Sequence, residues 1–441
     1  PPRCCSARLS LAVLMFLGIS VVYGLRVNLS VAMVAMVNAT DPAGTRNTTA
    51  DPACPLPSGP ENSTQGWLLG AFFFGYLCTQ IPGGYLAGHY GGKVFLGVGV
   101  FGTAVLTVLT PLAAGWGSRW LFALRALEGF GEGVTFPAMM AMWTRWAPPL
   151  ERSFLISLSG SGGSFGACLA LPLTGYICEQ LGWPAVFYLC GGAGCLWFVF
   201  WCILVSDDPR THRRISEQER DYIINSIGAQ GKGHGWSLPL VSMGLSVPLW
   251  AIIVTQMCSN WSFYTLLTSL PTYMNDILHF DLQNGFLSAL PYFCSVPVSL
   301  LSGVAADWLI MRQVFSITNV RKIFTFTLVL PALFLIAVCY AGCSHILTVT
   351  FLTLSTSLGG TSSAGVYVNQ IDIAPYAGFL LGITNTFGTI PGVVAPIHTM
   401  AGWRTVFWVA AGINIGGAVI YMIFGSGKIQ AWAVEEEEED E

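Results

Sequence analysis

The sequence predicts an all-α membrane protein with twelve transmembrane helices in two related six-helix bundles. Three observations lead to this prediction: an apolar composition, apolar runs long enough to cross a bilayer, and a repeat between the two halves of the chain. Of the 441 residues, 53% are hydrophobic and only 10% are charged, with a mean hydropathy of +0.62. Soluble proteins carry about 25% charged residues, so the composition excludes an ordinary soluble protein.

The apolar runs are each close to 20 residues, the length needed to cross a hydrocarbon core about 30 Å thick. A soluble α/β protein would show polar helix faces between such runs, and this chain does not. The predicted spans cover residues 10–37, 65–88, 94–114, 119–143, 153–177, 184–206, 248–275, 284–306, 323–342, 345–370, 377–400 and 404–424.

The second half of the chain repeats the first at an offset near 220 residues. Gly-Trp-Pro-Ala-Val-Phe-Tyr at 182–188 opens the sixth run, and Gly-Trp-Arg-Thr-Val-Phe-Trp at 402–408 opens the twelfth. Gly-Tyr-Leu-Ala-Gly at 84–88 closes the second run, as Gly-Val-Ala-Ala-Asp at 303–307 closes the eighth. Two parallel halves of this kind are typical of transporters whose bundles rock about a central site.

The repeat divides the chain into four segments. These are a first bundle at 1–206 with a loop at 38–64, a linker at 207–247, a second bundle at 248–424 and an acidic tail at 425–441. Positive charges favour the cytosolic side of a membrane protein. Of the nineteen Lys and Arg residues, three lie on the other side and two within spans, which leaves fourteen on one side. We call it the predicted cytosolic side; it carries both ends of the chain and the linker.

The loop at 38–64 then faces the outside of the cell or a lumen. It contains three Asn-x-Ser/Thr sequons, at Asn38, Asn47 and Asn62. Three sequons in one short loop on the predicted non-cytosolic side indicate glycosylation.

Charged side chains inside the predicted spans are the strongest functional signal. Arg125, Glu128 and Glu132 share one helix face, because they are three and four residues apart. Arg26 lies in the middle of the first span, too far from either end to reach the interface easily. A charge at this depth normally faces a bundle interior or a water-filled path.

These residue types suit a proton-coupled carrier of an organic anion. The guanidinium of Arg26 or Arg125 matches a carboxylate, and Glu128 or Glu132 can take up a proton. If Arg125 neutralises Glu128, protonation of that acid frees Arg125 for the substrate. The alternatives are structural: an intrahelical Arg125–Glu128 ion pair, and a pair between Arg26 and a neighbouring helix. The pattern does not rank the two glutamates as the proton site.

Polar and aromatic side chains within other spans are further candidates for substrate contact. They are Tyr76, Tyr264, Tyr273, Ser362 and Asn369. Tyrosine hydroxyls can hydrogen-bond a polyol or an acid, although an aromatic stripe is more often packing. For Ser362 and Asn369 the alternative is hydrogen bonding between helices.

Several strings resemble one known family, the anion–cation symporter branch of the major facilitator superfamily. The same resemblance covers nearly the whole chain. The strings that carry it are Arg-Val-Asn-Leu-Ser at 26–30, Thr-Gln-Ile-Pro-Gly-Gly-Tyr at 79–85, Arg-Ala-Leu-Glu-Gly at 125–129, Gly-Glu-Gly-Val-Thr-Phe-Pro at 131–137 and Trp-Ala-Pro-Pro-Leu-Glu-Arg-Ser at 146–153.

The segments 84–93 and 303–322 resemble the gate motif of the superfamily, a glycine and an acid followed by basic residues. The resemblance makes Lys93 and Asp307 gating candidates at the predicted cytosolic side. The first copy departs from the motif, with Gly88 where an acid is usual. For Lys93 the alternative is an ordinary positive flank of a span.

The resemblance implies a major facilitator fold and, within the branch, a carrier of acidic sugars rather than of glutamate. Glutamate carriers typically have an Arg and a His where this chain has Ser259 and Leu69. The sugar-acid carriers have a His after Phe-Pro-Ala-Met, and this chain has Met140 there. A proton role for that His is therefore impossible here, which places more weight on the glutamates.

The implied activity is symport of sialic acid and related acidic sugars such as glucuronate with protons, from the lysosomal lumen to the cytosol. We expect a monomeric, multi-pass protein of the lysosomal membrane, with the synaptic vesicle or the plasma membrane as alternative locations. We expect it not to be an enzyme and to have no cofactor, metal or nucleic-acid partner. One alternative is membrane-potential-driven vesicular uptake of aspartate or glutamate. An alternative of another class is a sensor or receptor that binds substrate without transporting it.

Overall fold

The computed structural model describes residues 6–40, 60–228, 238–276, 285–341, 344–398 and 403–434. Within these ranges the chain is helical and contains no β-strand. The described helices fall into two groups, one before and one after the linker.

The described part of the first bundle contains nine helical segments. They are α1 (Ala7–Thr40), α2 (Pro60–Tyr90), α3 (Gly92–Val108), α4 (Thr110–Trp116), α5 (Ser118–Glu132), α6 (Thr135–Trp146), α7 (Arg152–Gly160), α8 (Gly162–Leu181) and α9 (Trp183–Leu204). Among the described residues, the main contacts within this bundle pair α1 with α8, α2 with α5, and α3 with α9.

The linker contributes α10 (Glu217–Ile227) and α11 (Leu240–Gly244). The second bundle follows. Its helices are α12 (Val247–Asp276), α13 (Gly285–Met311), α14 (Ile317–Phe326), α15 (Val329–Tyr340), α16 (His345–Gly359), α17 (Val366–Ile373), α18 (Ala377–His398) and α19 (Trp403–Phe424), with a 3₁₀ segment at Gly360–Ala364 between α16 and α17.

Breaks within predicted spans explain why helical segments outnumber spans. The fourth span is divided between α5 and α6 at Gly133 and Val134. Pro137 lacks the N–H that would bond to the Gly133 carbonyl, which accounts for the break. The third span bends by 47° between α3 and α4.

Six helical stretches among the described residues are long and apolar enough to cross a membrane, and the bent pair α3–α4 makes a seventh. The other predicted spans correspond to α2, α5–α6, α12, α16–α17 and α18. Two helices extend into the predicted loop at 38–64, since α1 ends at Thr40 and α2 begins at Pro60. Proline is favoured in the first turn of a helix, where its missing N–H costs nothing.

The two bundles meet along α2 with α18 and along α13 with α7 and α8. Glycines allow the closest approach. A Cβ added at Gly84 of α2 would lie 2.3 Å from the Gly378 carbonyl oxygen of α18, and one at Gly303 of α13 would lie 2.9 Å from the Ser153 carbonyl oxygen of α7. Both contacts lie near the predicted cytosolic side, where the bundles are closed against each other.

The linker helix α10 begins after a capping serine. Ser216 caps it by accepting a hydrogen bond from the Glu219 N–H at 3.3 Å. The Glu219 carboxylate accepts from the backbone N–H of Ala7 at 3.1 Å, at the N-terminus of α1. Arg8 is buried here and pairs with Glu151 at 3.0 Å. The linker helix is thereby attached to the first bundle.

Candidate functional site

A cavity of about 230 Å³ lies between the bundles. Its wall includes Tyr23 and Tyr76 from the first bundle and Tyr264, Ser299 and Asn414 from the second. Among the residues described, none that lines the cavity is Asp, Glu, Lys, Arg or His. The cavity therefore offers hydroxyl, amide and aromatic groups, and any charge must be recognised from behind its wall.

Arg26 and Glu132 lie behind that wall as an ion pair between α1 and α5. Nη2 of Arg26 lies 2.5 Å and Nε 3.0 Å from Oε1 of Glu132. Arg26 is 8% exposed and Glu132 is fully buried. The structure thus contains the predicted alternative, an ion pair between Arg26 and a neighbouring helix. The partner is Glu132, for which the sequence shows no basic residue at helical spacing other than Arg125.

This pair leaves hydrogen-bonding capacity unused. Both bonds go to Oε1, so Oε2 of Glu132 and Nη1 of Arg26 are buried without a hydrogen-bond partner among the described residues. A proton can bind Oε2 without displacing Arg26, and Nη1 is a free donor for an anion. Buried unpaired groups of this kind are costly, which makes the pair a candidate for function.

Aromatic rings separate the Arg26 guanidinium from the cavity. Its carbon lies 4.5 Å from the ring centroid of Tyr23, 5.0 Å from that of Tyr76 and 5.1 Å from that of Phe72. Tyr23 and Tyr76 also line the cavity. Cation–π contacts hold the charge in place, and rotation of either tyrosine would expose it.

The predicted Arg125–Glu128 pair is also present, with Nη1 of Arg125 2.6 Å from Oε2 of Glu128. Oε1 of Glu128 accepts from the Thr110 hydroxyl at 3.1 Å. Arg125 also donates to the carbonyl oxygen of Arg26 at 3.3 Å. Neither side chain lines the cavity, so this pair supports α1 from behind rather than facing a substrate in this conformation.

The glycines beside the two acids serve close packing. A Cβ at Gly129 would lie 1.9 Å from the Phe72 carbonyl oxygen, and one at Gly133 would lie 2.1 Å from the Thr79 hydroxyl. Both contacts join α5 and the segment after it to α2. This packing brings Phe72 and Tyr76 over Arg26.

The other substrate-contact candidates fall into two groups. Tyr76, Tyr264 and Ser362 line the cavity, and the Tyr76 hydroxyl accepts from Nδ2 of Asn385 across the bundles at 3.2 Å. Asn369 is fully buried outside the cavity and donates to the Ser426 carbonyl oxygen at 3.0 Å. Asn369 thus contacts the chain after α19 in this conformation, and its substrate contact stays a prediction.

The two gating candidates also differ. The Asp307 carboxylate of α13 accepts from the N–H groups of Ser153 at 3.1 Å and Phe154 at 2.7 Å, at the N-terminus of α7. This is a contact between a charge and a helix dipole across the two bundles. Lys93 instead bonds the end of the first bundle and the start of the linker, through its ammonium to the Cys202 carbonyl at 3.4 Å and its N–H to Asp207 at 2.6 Å.

Sequence reasoning missed the largest charged contact between the bundles. Asp372 of α17 binds Arg152 of α7 at 3.1 Å and Arg321 of α14 at 2.7 Å. All three residues are buried. The sequence did contain a signal for this contact: Asp372 lies two residues beyond the tenth predicted apolar run. A lone carboxylate at that position needs a basic partner.

Four predicted residues cannot be placed fully. Asn47 lies outside the described residues. The side chains of Asn38, Asn62 and Tyr273 are also outside what the structure describes, although their backbones belong to α1, α2 and α12.

Comparison with known proteins agrees with the fold. The family described as Major Facilitator Superfamily matches residues 12–396. The solved structure of the proton:xylose symporter XylE bound to 6-bromo-6-deoxy-D-glucose is similar with a TM-score of 0.71 and 15% identity, over 96% of this chain and 97% of that one. At this identity the likeness shows the shared fold.

Curated relatives are similar over almost the full chain. Sialin of Homo sapiens is 51% identical, covering 98% of this chain and 92% of the relative, and sialin of Ovis aries is 50% identical with the same coverage. The probable small intestine urate exporter of Homo sapiens is 37% identical over 98% of this chain and 93% of the relative. The chain therefore belongs to the Major Facilitator Superfamily, and it is a multi-pass membrane transporter rather than an enzyme.

Proposed function

We propose that the protein carries sialic acid and related acidic sugars such as glucuronate together with protons, from the lysosomal lumen to the cytosol, by alternating access. The main support is the Arg26–Glu132 pair beside an uncharged polar cavity. The similarity to sialin supports the substrate class and the lysosomal membrane as the location.

Coupling follows from competition for one guanidinium. At acidic luminal pH a proton binds the unpartnered Oε2 of Glu132, and the neutral acid holds Arg26 more weakly. Arg26 then pairs with the substrate carboxylate, in the bidentate geometry that arginine favours. After release of the anion, Glu132 gives up its proton and recovers Arg26. One proton and one carboxylate thus move in the same direction.

The neutral cavity wall favours a monocarboxylic sugar over an acidic amino acid. Aspartate and glutamate carry two carboxylates and an ammonium, and each buried charge costs several kcal/mol unless it is paired. The cavity lining that the structure describes supplies no further charge for them. A sugar acid needs one cation and many hydrogen bonds, which fits hydroxyls, amides and one arginine.

The closing contacts at the predicted cytosolic side support alternating access. Asp307 on the α7 N-terminus and Asp372 between two arginines join the bundles there. Opening toward the cytosol requires these contacts to separate. Gating by Asp307 is part of the proposal; gating by Lys93 has less support, because the contacts described for it do not reach the second bundle.

The test is uptake of radiolabelled sialic acid into proteoliposomes under an imposed pH gradient or an imposed voltage. Stimulation by acid on the substrate side, with competition by glucuronate, is the expected result. Voltage-driven uptake of aspartate or glutamate without a pH gradient would replace the proposal by vesicular amino-acid loading. Saturable sialic acid binding without flux would indicate a sensor.

A further inference from the structure

One part of the cavity wall is formed by the second bundle. This part, which we call the C-bundle lobe, is lined by side chains of α12, the α14–α15 junction, α15, α16 and α19. They are Ser262, Leu266, Leu328, Pro331, Ser355, Thr356 and Asn414.

Two polar groups in the C-bundle lobe have no hydrogen-bond partner in the described part of the chain. They are Oδ1 of Asn414 and Oγ1 of Thr356, and both atoms are buried. Asn414 as a whole is 2% exposed. An unsatisfied buried polar atom costs about 1–3 kcal/mol, so a ligand that hydrogen-bonds it recovers that free energy. Other hydroxyls nearby are occupied, as Ser355 donates to the Pro331 carbonyl oxygen at 2.9 Å.

The internal repeat shows that the C-bundle lobe is specific to one half. Asn414 corresponds to Gly194 of α9 at the offset of 220 residues. A Cβ at Gly194 would lie 2.6 Å from the Ala104 Cβ, so this position of the first bundle is solidly packed. The second bundle instead has a polar amide facing a cavity.

We propose that the C-bundle lobe is the subsite for the neutral, hydrogen-bonding extension of the substrate, with Asn414 and Thr356 as the residues that determine specificity. This inference rests on the proposed function. A nine-carbon sugar acid has a polyol side chain and an acylated amine, whereas a hexuronate has neither. Asn414 can accept from a hydroxyl or an amide N–H, and Thr356 can donate or accept. The carboxylate end goes to Arg26 in the same cavity.

The experiment measures KM for sialic acid and for glucuronate in proteoliposomes carrying Asn414→Ala, Asn414→Leu or Thr356→Val. Loss of one or two neutral hydrogen bonds predicts a KM for sialic acid raised about tenfold. The KM for glucuronate stays within about twofold, because this substrate does not reach the lobe. Asn319→Ala, at an exposed residue of α14, is the matched control and changes neither value.

The outcomes separate the inference from the function it rests on. Retained glucuronate flux shows that each variant is folded. Equal changes for both substrates, or no change for either, overturn the C-bundle lobe as a subsite and leave proton-coupled transport intact. Absence of saturable sialic acid flux in the unmodified protein overturns both.

Discussion

The two bundles treat the cavity differently, although they are repeats of one another. The first bundle places two buried ion pairs behind its cavity wall, Arg26–Glu132 and Arg125–Glu128. The second bundle contributes neutral groups to the wall, and its buried ion pairs described by the structure lie at the predicted cytosolic end.

The difference is also visible in packing. Trp197 and Trp201 of α9 are buried against α1 and α3, where each indole N–H donates to a backbone carbonyl. The repeat puts Gly417 and Tyr421 at these positions in α19. Only one of the two indole positions therefore keeps a large ring in the second bundle, where a cavity lies beside Asn414. In the proposed function, this divergence separates charge recognition and proton uptake from recognition of the neutral part of a substrate.

The largest effect is expected from Glu132→Gln, which removes the proposed proton site of the first bundle but keeps its shape. Sialic acid uptake driven by a pH gradient should fall about 100-fold or more, since the carboxylate proposed to take up the proton is replaced by an amide. Exchange of labelled for unlabelled substrate, which needs no net proton movement, should persist. Uptake and exchange in the same proteoliposomes measure both.

A matched control for this variant is Glu179→Gln, at an exposed end of α8. It should leave both activities unchanged. Full pH-driven uptake by Glu132→Gln would contradict the assignment of proton uptake to this residue of the first bundle.

Arg26→Lys tests whether the charge is read from the first bundle. Lysine keeps the positive charge but loses the planar fork and the stacking on Tyr23 and Tyr76. Hydrogen bonds to a charged group contribute about 1.5–3 kcal/mol, so the KM for sialic acid should rise at least tenfold. The carboxamide analogue of sialic acid, which has no charge, should bind the variant and the unmodified protein with similar affinity. An equal loss for acid and amide would mean that Arg26 acts only through structure.

These residues also show how far sequence could lead. Arg26, Arg125, Glu128 and Glu132 stand out because charge in an apolar run is rare and costly, and the three-residue spacing predicted the Arg125–Glu128 contact. The partner of Glu132 could not be predicted, because the choice between helices depends on how α1 packs against α5. The family strings and the apolar runs predicted the fold.

Residues that resemble ordinary core in sequence were harder to assign. Asn414 sits in an apolar helix like many residues that bond a neighbouring helix, and only the surrounding space distinguishes it. Asn369 has the same appearance but bonds Ser426. Asp372 lies just past a predicted span. Its contact could not be predicted, because its two arginine partners come from distant parts of the chain.

Gly129→Ala tests the packing that holds the first bundle around its charges. The added methyl group would lie 1.9 Å from the Phe72 carbonyl oxygen, and overpacking of this kind typically costs about 1–3 kcal/mol. Purified protein in detergent should unfold at a lower temperature. Gly102→Ala on α3, where nothing lies within 4 Å of the added carbon, is the matched control. Equal melting temperatures for the two variants would contradict the contact.

Asp307→Asn tests whether the second bundle closes on the first through a charge at the α7 N-terminus. The substitution keeps an acceptor but removes the charge, and such contacts contribute up to about 2 kcal/mol when partly buried. The equilibrium should shift about tenfold toward states open at the predicted cytosolic side. Thiol labelling of a cysteine placed at Ser157, beside this contact, should accelerate accordingly. Asp221→Asn on the exposed face of α10 should not change the labelling rate.

The smallest effect on transport is expected from Thr110→Val, which tests whether Glu128 takes part in proton transfer beside Glu132. Valine removes the hydrogen bond to Oε1 of Glu128 but leaves Arg125 in place, at a cost of about 1.5–3 kcal/mol. If Glu128 only supports α1, this cost appears as lower thermal stability, and the pH dependence of uptake stays that of the unmodified protein. A shift in that pH profile, absent in the exposed control Thr350→Val, would instead give Glu128 a part in proton transfer. The first bundle would then carry its proton on two acids one helical turn apart, and the Arg26–Glu132 pair alone would not account for coupling.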